Sequence, residues 1–304
     1  MGEIMVRLPV KSLLRFKCVA KSWYALITDP SFIAKHLERS KSITNGRSRK
    51  LIFYGYRVDR PPYITLISKD QPYCVPQYLE PLPRLYCTFY GQCNGIFCLH
   101  VLDPTDVNEN VDHDDGDEGN LILWNPTTKE DKLIPLPQCQ PKAIFSNMFG
   151  FGFDPITKDY KVVQVSHPPL EGGVRLVEVY NLSTNSWRML DVVVPAAFDF
   201  YVEDCKTYLN GVYHWYIYDP SGIRKNFILS FDFTREVFGT IQLPSATDSY
   251  YCGHNVFVLD ESLAILQHDW ETRKSKIWVM KEYGVESSWT NKFDVERFQS
   301  LPPS

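Results

Sequence analysis

The chain has 304 residues, 44% of them hydrophobic, and a formal net charge of −4. That is enough apolar material for one large packed domain beside a small one. No run approaches the roughly eighteen apolar residues of a membrane-spanning helix, and Glu3 and Arg7 interrupt any signal-peptide core, so a cytoplasmic or nuclear chain without a membrane partner is expected.

The first forty residues have helical periodicity. Leu13, Phe16, Ala20, Trp23 and Ile27 recur at steps of three and four, and Leu14 and Cys18 widen the stripe. Pro9 precedes the run and Ser12 lies in its opening turn, both suited to a helix start. The Asp29-Pro30 step disfavours a continuing helix, so a bend is expected there. Phe32, Ile33 and Leu37 suit a short last helix. Helices this small bury little surface alone, so the apolar face packs either on a partner or on the rest of the chain as a cap.

Charge separates this segment from the remainder. Residues 1–50 hold eleven Lys and Arg against three Asp and Glu, a net of +8. The other 254 residues hold 21 basic and 33 acidic side chains, a net of −12. A basic helical piece suits an acidic protein partner. Nucleic acid is the weaker reading, because the basic residues are interleaved with a core-type apolar pattern and no nucleic-acid motif accompanies them.

Leu8-Pro9, the Val10–Cys18 helix, Lys21-Ser22-Trp23 and the tail from Ile27 to Leu37 resemble the F-box of plant proteins. That resemblance implies docking on a Skp-type adaptor and through it on a cullin scaffold, with Ile4, Met5, Leu8, Pro9, Leu13 and Phe16 in the interface. The first Leu-Pro of the family pattern is absent, and only Glu3 to Arg7 of its first helix remain, so weakened docking is expected.

From Leu51 onward the texture changes to short runs such as LIFYGY, GIFCLHVL, LILW, YKVVQV, VEVY, FILSF and VFVL, separated by Pro, Gly, Asn, Asp and Thr. This predicts many short strands, a mainly β architecture. A repeat runs through them. Trp124-Asn125-Pro126-Thr127-Thr128, Tyr180-Asn181-Leu182-Ser183-Thr184 and Phe231-Asp232-Phe233-Thr234-Arg235 each follow a strand and precede another. Ile277 to Met280 begins a fourth, longer version. The intervals from Trp124 to Tyr180, from Tyr180 to Phe231 and from Phe231 to Met280 are 56, 51 and 49 residues, near the roughly 50-residue period of kelch-type blades. In each unit the Asn or Asp side chain should bond its own backbone, and a Trp or Leu on the returning strand should pack between blades. An ordinary sandwich with coincidental spacing is the alternative.

Chemistry-bearing motifs are few. Gly91-Gln92-Cys93-Asn94-Gly95 imitates a nucleophile elbow, but Ile96–Leu102 reads as a strand where a helix is needed. Gly150-Phe151-Gly152 lacks the third glycine and the helix of a dinucleotide loop. Asp112 to Asp117 brushes against a calcium loop with glycine misplaced and Leu123 at the glutamate position. The acidic stretch Asp106 to Glu118 reads as a solvated insertion or a target-contact loop. His100, His214 and His254 lie in aromatic strand contexts as core or rim residues. The eight cysteines form no Cys-x-x-Cys pair and no His pair has zinc spacing, so no metal or cofactor is expected.

CNGIFCLH (93–100), LWNPTTKE (123–130), GFGFDPITKDYKVVQV (150–165), VYNLSTNSWR (179–188), YLNGVYHW (208–215), ILSFDFTREVF (228–238) and IWVMKEYGVESSWT (277–290) resemble, in order, the F-box-associated domain of plant F-box proteins. The phrasing is most similar to S-locus F-box proteins, the pollen receptors for style ribonucleases in self-incompatibility. The resemblance implies a non-catalytic substrate receptor of an SCF-type ubiquitin ligase. Residues 1–45 would be a partial F-box and 46–304 a kelch-like β-propeller that binds the target. Four clear units before Ser304 predict an incomplete propeller with an exposed edge. Two rivals remain: a propeller interaction module without ligase docking, and a propeller enzyme or lectin.

Overall fold

The computed structural model of the chain describes residues 2–47, 50–57, 60–68, 77–79, 86–102, 120–137, 148–166, 175–195, 206–217, 226–244, 252–269, 272 and 274–296. The chain is mainly β, with helices at its N-terminus, and divides into two compact units. One comprises Met1–Phe89, Asn94–Val111 and Gly119–Ile134, the other Tyr90–Cys93, Asp112–Glu118 and Pro135–Ser304.

The first unit begins with α1 (Gly2–Met5), α2 (Val10–Phe16), α3 (Lys21–Thr28) and α4 (Pro30–Arg47). The Asp29-Pro30 bend is where the sequence places it. Pro30 is the first helical residue, and the Asp29 carboxylate accepts the Ser31 and Phe32 amides at 2.8 and 3.2 Å as an N-cap. Helix α4 is longer than the short tail expected, because neither proline nor glycine interrupts it before Gly46. Strands β1 (Lys50–Arg57), β2 (Arg60–Ser68) and β3 (Gln77–Leu79) form a three-stranded antiparallel sheet of their own.

Four four-stranded sheets follow, each a meander of consecutive strands. They are β4–β7 (Tyr86–Cys93, Ile96–Leu102, Asn120–Asn125, Glu130–Ile134) and β8–β11 (Met148–Asp154, Asp159–Val165, Val177–Asn181, Ser186–Leu190). Next come β12–β15 (Lys206–Leu209, Val212–Ile217, Phe227–Asp232, Val237–Gln242) and β16–β19 (Cys252–Leu259, Ser262–Asp269, Lys274–Met280, Trp289–Glu296). Among the described residues no strand is exchanged between sheets, which is propeller-blade topology rather than a Greek-key sandwich.

Burial explains the sequence texture. The third strands β6 and β14 are buried along their whole middle, as are β9 and β13 among the second strands. A strand covered on both faces needs a continuous apolar run. The fourth strands β7, β11 and β15 alternate or face solvent.

In the second unit the cores lie between blades. Met148, Val163 and Val179 of β8–β11 pack with Tyr213, Trp215, Phe231 and Phe233 of the next sheet. Tyr216, Ile228 and Ile241 pack with Val256, Ile265, Met280 and Trp289 of the one after. Each such side chain contributes on the order of 1.5–3 kcal/mol through burial. The returning-strand tryptophans behave as the repeat predicts. Trp187 donates its indole N–H to the Pro135 carbonyl at 2.6 Å, and Trp289 donates to the Gln242 carbonyl at 3.0 Å. In β15 the corresponding aromatic is Phe238, which packs on Phe231 without a donor.

Candidate protein-interaction surfaces

Two parts of the molecule are candidate interaction surfaces, and the helical module is the first. Its core is Met5, Val6, Leu13, Ile27 and Phe32, edged by Leu8, Phe16, Trp23 and Leu26. Phe16 meets Trp23 edge-to-face with ring centroids 5.2 Å apart. The His36 ring Nε2 lies 2.9 Å from the Leu8 carbonyl, tying α4 to the turn between α1 and α2. Lys35 pairs with Glu3, but both are exposed, so the pair adds little stability. Among the described residues of the module, four large apolar side chains remain in water: Ile4 at 69%, Val19 at 61%, Tyr24 at 56% and Ile33 at 53% exposure. A module this small leaves such groups uncovered because its few helices already use their inner faces on one another.

The six interface residues implied by the F-box resemblance separate into three groups. Ile4 and Pro9 are exposed, Leu8 and Phe16 are half-buried, and Met5 and Leu13 are inside the core. Val19, Tyr24 and Ile33 were not among them. Their signal is an apolar residue off the core stripe, which periodicity alone discards.

The second surface follows from blade topology. In an antiparallel meander the first-to-second and third-to-fourth turns share one end, and the second-to-third connection lies at the other. Turns at the shared end are tight. Three are two-residue hairpins with both central residues at positive φ, the type I′ pattern: Asn94-Gly95, Asn210-Gly211 and Asp260-Glu261. Four are four-residue loops: Pro126–Lys129, Pro155–Lys158, Leu182–Asn185 and Phe233–Glu236. Each ends on a positive-φ residue, Lys129, Lys158, Asn185 or Glu236.

Asn125, Asp154 and Asp232 accept the amides two and three residues ahead at 2.9–3.3 Å, as predicted for Asn125 and Asp232. The loop after Asn181 departs from that rule. There Asp159, across the sheet in β9, accepts the Ser183 amide and hydroxyl at 3.0 and 2.6 Å, and Asn181 itself donates to Asp159. The fourth version, Lys281–Ser288, is longer. Its Tyr283 hydroxyl lies 2.8 Å from Nε2 of buried His214. Burial pushes the His214 ring down to about 4, partly opposed by the Thr207 carbonyl, so it is neutral at physiological pH.

Of the four second-to-third connections at the opposite end, 103–119, 166–176 and 218–226 are longer in sequence than 270–273, and most of their residues lie outside the described ones. The acidic stretch 106–118 and the calcium-like run 112–117 lie outside the described residues. Of the enzyme-like motifs, Gly91–Gly95 is strand β4 running into the Asn94-Gly95 hairpin and back along β5. A nucleophile elbow needs a helix there. Gly150 and Gly152 are interior to β8, where a Cβ would collide with Trp215 and Tyr208 respectively. They are glycines of close packing, not of phosphate binding. His100 and His214 are core residues.

Comparison with known proteins agrees with this architecture. Residues 1–35 match the F-box domain, and residues 104–303 match the F-box associated beta propeller domain. An F-box/kelch-repeat protein of Arabidopsis thaliana is 28% identical over 97% of this chain and 78% of its own length. The F-box protein CPR1 of Arabidopsis thaliana is 28% identical over 99% of the chain and 73% of its own. An F-box/LRR-repeat/kelch-repeat protein from the same plant is 26% identical over 98% and 76%.

Proposed function

The chain belongs to the family of F-box proteins that carry an F-box associated β-propeller domain, and from that membership we propose that it is the target-recognition subunit of an SCF-type ubiquitin ligase. The observation that carries the proposal is an F-box with exposed apolar side chains on the same chain as propeller blades. Residues 1–45 bind a Skp-type adaptor and residues 46–304 bind the target. Ile4 and Pro9 touch the adaptor, Leu8 and Phe16 form the rim of that contact, and Met5 and Leu13 shape it from beneath.

The receptor does no chemistry itself. It raises the effective concentration of the target beside a ubiquitin-conjugating enzyme held elsewhere on the scaffold. The target surface is the end of the blades with the longer connections, because variable loops on a rigid base are where recognition concentrates. The net charge of −12 over residues 51–304 favours a basic target. A style ribonuclease of self-incompatibility is the specific candidate, on the strength of phrasing similar to S-locus F-box proteins. Such a receptor acts in the cytoplasm or nucleus.

The test is co-purification of the full chain with a Skp-type adaptor and cullin. A stable ternary complex is expected. A folded chain that fails to capture the adaptor sinks the ligase reading and leaves a propeller interaction module.

A further inference from the structure

One lysine in the second unit is buried where its charge would be costly. Lys161 lies in β9 with its side chain 4% exposed. Its Nζ is 2.8 Å from the Asp154 carboxylate of the same blade. Its two other partners belong to the next blade: the main-chain carbonyl of Phe233 and the carboxylate of Glu236, each at 2.9 Å. All three ammonium protons are therefore used, which a buried ammonium requires.

The contact is reciprocal. The Thr234 hydroxyl, in the turn of the second blade, donates to Asp154 Oδ1 at 2.8 Å. On the solvent side Arg188 of β11 also binds the Glu236 carboxylate. Thus the β8–β9 hairpin, through Asp154 and Lys161, and the loop Phe233–Glu236 are fastened to each other by side chains from both blades. Glu236 occupies a positive-φ position at 54°, where glycine is the easier residue. A glycine there would lose both ion pairs.

Replacing a buried ion cluster with apolar residues often leaves stability unchanged or raises it, so such a cluster is a poor choice for stability alone. What it supplies here is connection. We infer that the Lys161 cluster is a latch that makes the sheets β8–β11 and β12–β15 open as one cooperative unit rather than as two blades. This does not depend on what the protein binds.

Native-state hydrogen exchange on the full chain, followed through a urea series, tests it. The amides of β9 and of β14 should share one opening free energy and one denaturant slope. In the double variant Thr234→Val, Glu236→Gln, the two sets should separate, with one blade exchanging at least tenfold faster than the other. Glu236→Gln alone, which keeps the side-chain shape, serves if the double variant does not fold, and Lys158→Ala, in the β8–β9 turn but outside the cluster, should leave the two sets together. Independent opening of the blades in the parent overturns the latch. So does a folded Glu236→Gln or double variant in which both sets weaken equally and keep one slope.

Discussion

Gly152 in β8 sits so close to Tyr208 in β12 that a Cβ on the glycine would stand 2.6 Å from the tyrosine ring, with Phe233 also in the way. The same phenol donates to the Phe153 carbonyl at 2.7 Å and accepts the Gly211 amide at 2.9 Å. Two inner strands of neighbouring blades are thus held by a missing side chain on one and a buried hydroxyl on the other. Gly152→Ala should destabilise the chain by about 1–3 kcal/mol through overpacking. Tyr208→Phe should cost about 1–3 kcal/mol by leaving the Gly211 amide unpaired. Urea midpoints of the two variants against the parent check both. Tolerance of alanine at 152 would mean that the strands are less closely packed than this.

These contacts show what the sequence discloses and what it does not. Second and third strands are legible because burial on both faces demands runs such as LILW and FILSF. The third-to-fourth turns are legible because Asn125 and Asp232 bond backbone close by. Lys161 is not legible: within YKVVQV it reads as a solvent-facing residue, since its partners Phe233 and Glu236 are 72 and 75 residues away. The close approach that Gly150 and Gly152 serve is equally long-range. Helix α4 outran its apolar signal because a polar helix end carries no core stripe. In the F-box, periodicity found the inner face, whereas the exposed Ile4, Val19, Tyr24 and Ile33 lie off that stripe.

The hairpins make a local prediction. Asn94-Gly95 and Asn210-Gly211 place glycine at the second positive-φ position, but the third hairpin has Glu261 there at φ 61°. Glu261 is exposed, so nothing in the core depends on its side chain. Glu261→Gly should raise stability by about 0.5–1 kcal/mol, the left-handed penalty outweighing the added unfolded-state entropy. Thermal and urea melts read the sign directly. A loss would show that Glu261 makes a surface contact worth more than the backbone strain.

Stability should fall in two stages as pH is lowered. His214 is depressed by burial to about 4, against about 6.5 in an unfolded chain. A depressed group gives stability that is complete above the unfolded value and lost as pH falls through the folded one. The window is therefore about 6.5 down to 4, and the loss is on the order of 3 kcal/mol. Burial raises the carboxyls of Asp154 and Glu236, but hydrogen bonds outweigh it and hold both below their ordinary range: Lys161, Thr234 and Thr157 at Asp154, and Arg188 and Lys161 at Glu236. Their contribution is present above about pH 4 and disappears below it. His214→Gln should flatten the upper stage and leave the lower one. An unchanged slope between pH 6.5 and 4 in that variant would assign the upper stage to other groups.

The adaptor surface gives the sharpest contrast between folding and binding. Ile4 is 69% exposed and Leu13 is 4% exposed, although the F-box resemblance implies both in the same interface. Ile4→Asp should leave helix content and melting unchanged, because its side chain already stands in water, yet weaken adaptor capture at least tenfold by placing a charge in an apolar contact. Tyr24→Ala should weaken capture as well if its exposed ring lies in the same contact. Leu13→Ala should act differently, costing about 2–5 kcal/mol of helical-module stability through the cavity it leaves, and losing the adaptor only as the module unfolds. Replacing Leu8 and Pro9 together by alanine removes a rim contact and the entry to α2 at once, and should abolish capture. Circular dichroism and a quantitative adaptor pull-down on the same preparations separate the two effects. Equal capture by the parent, Ile4→Asp and the Leu8, Pro9 double variant would place the adaptor contact elsewhere on the molecule.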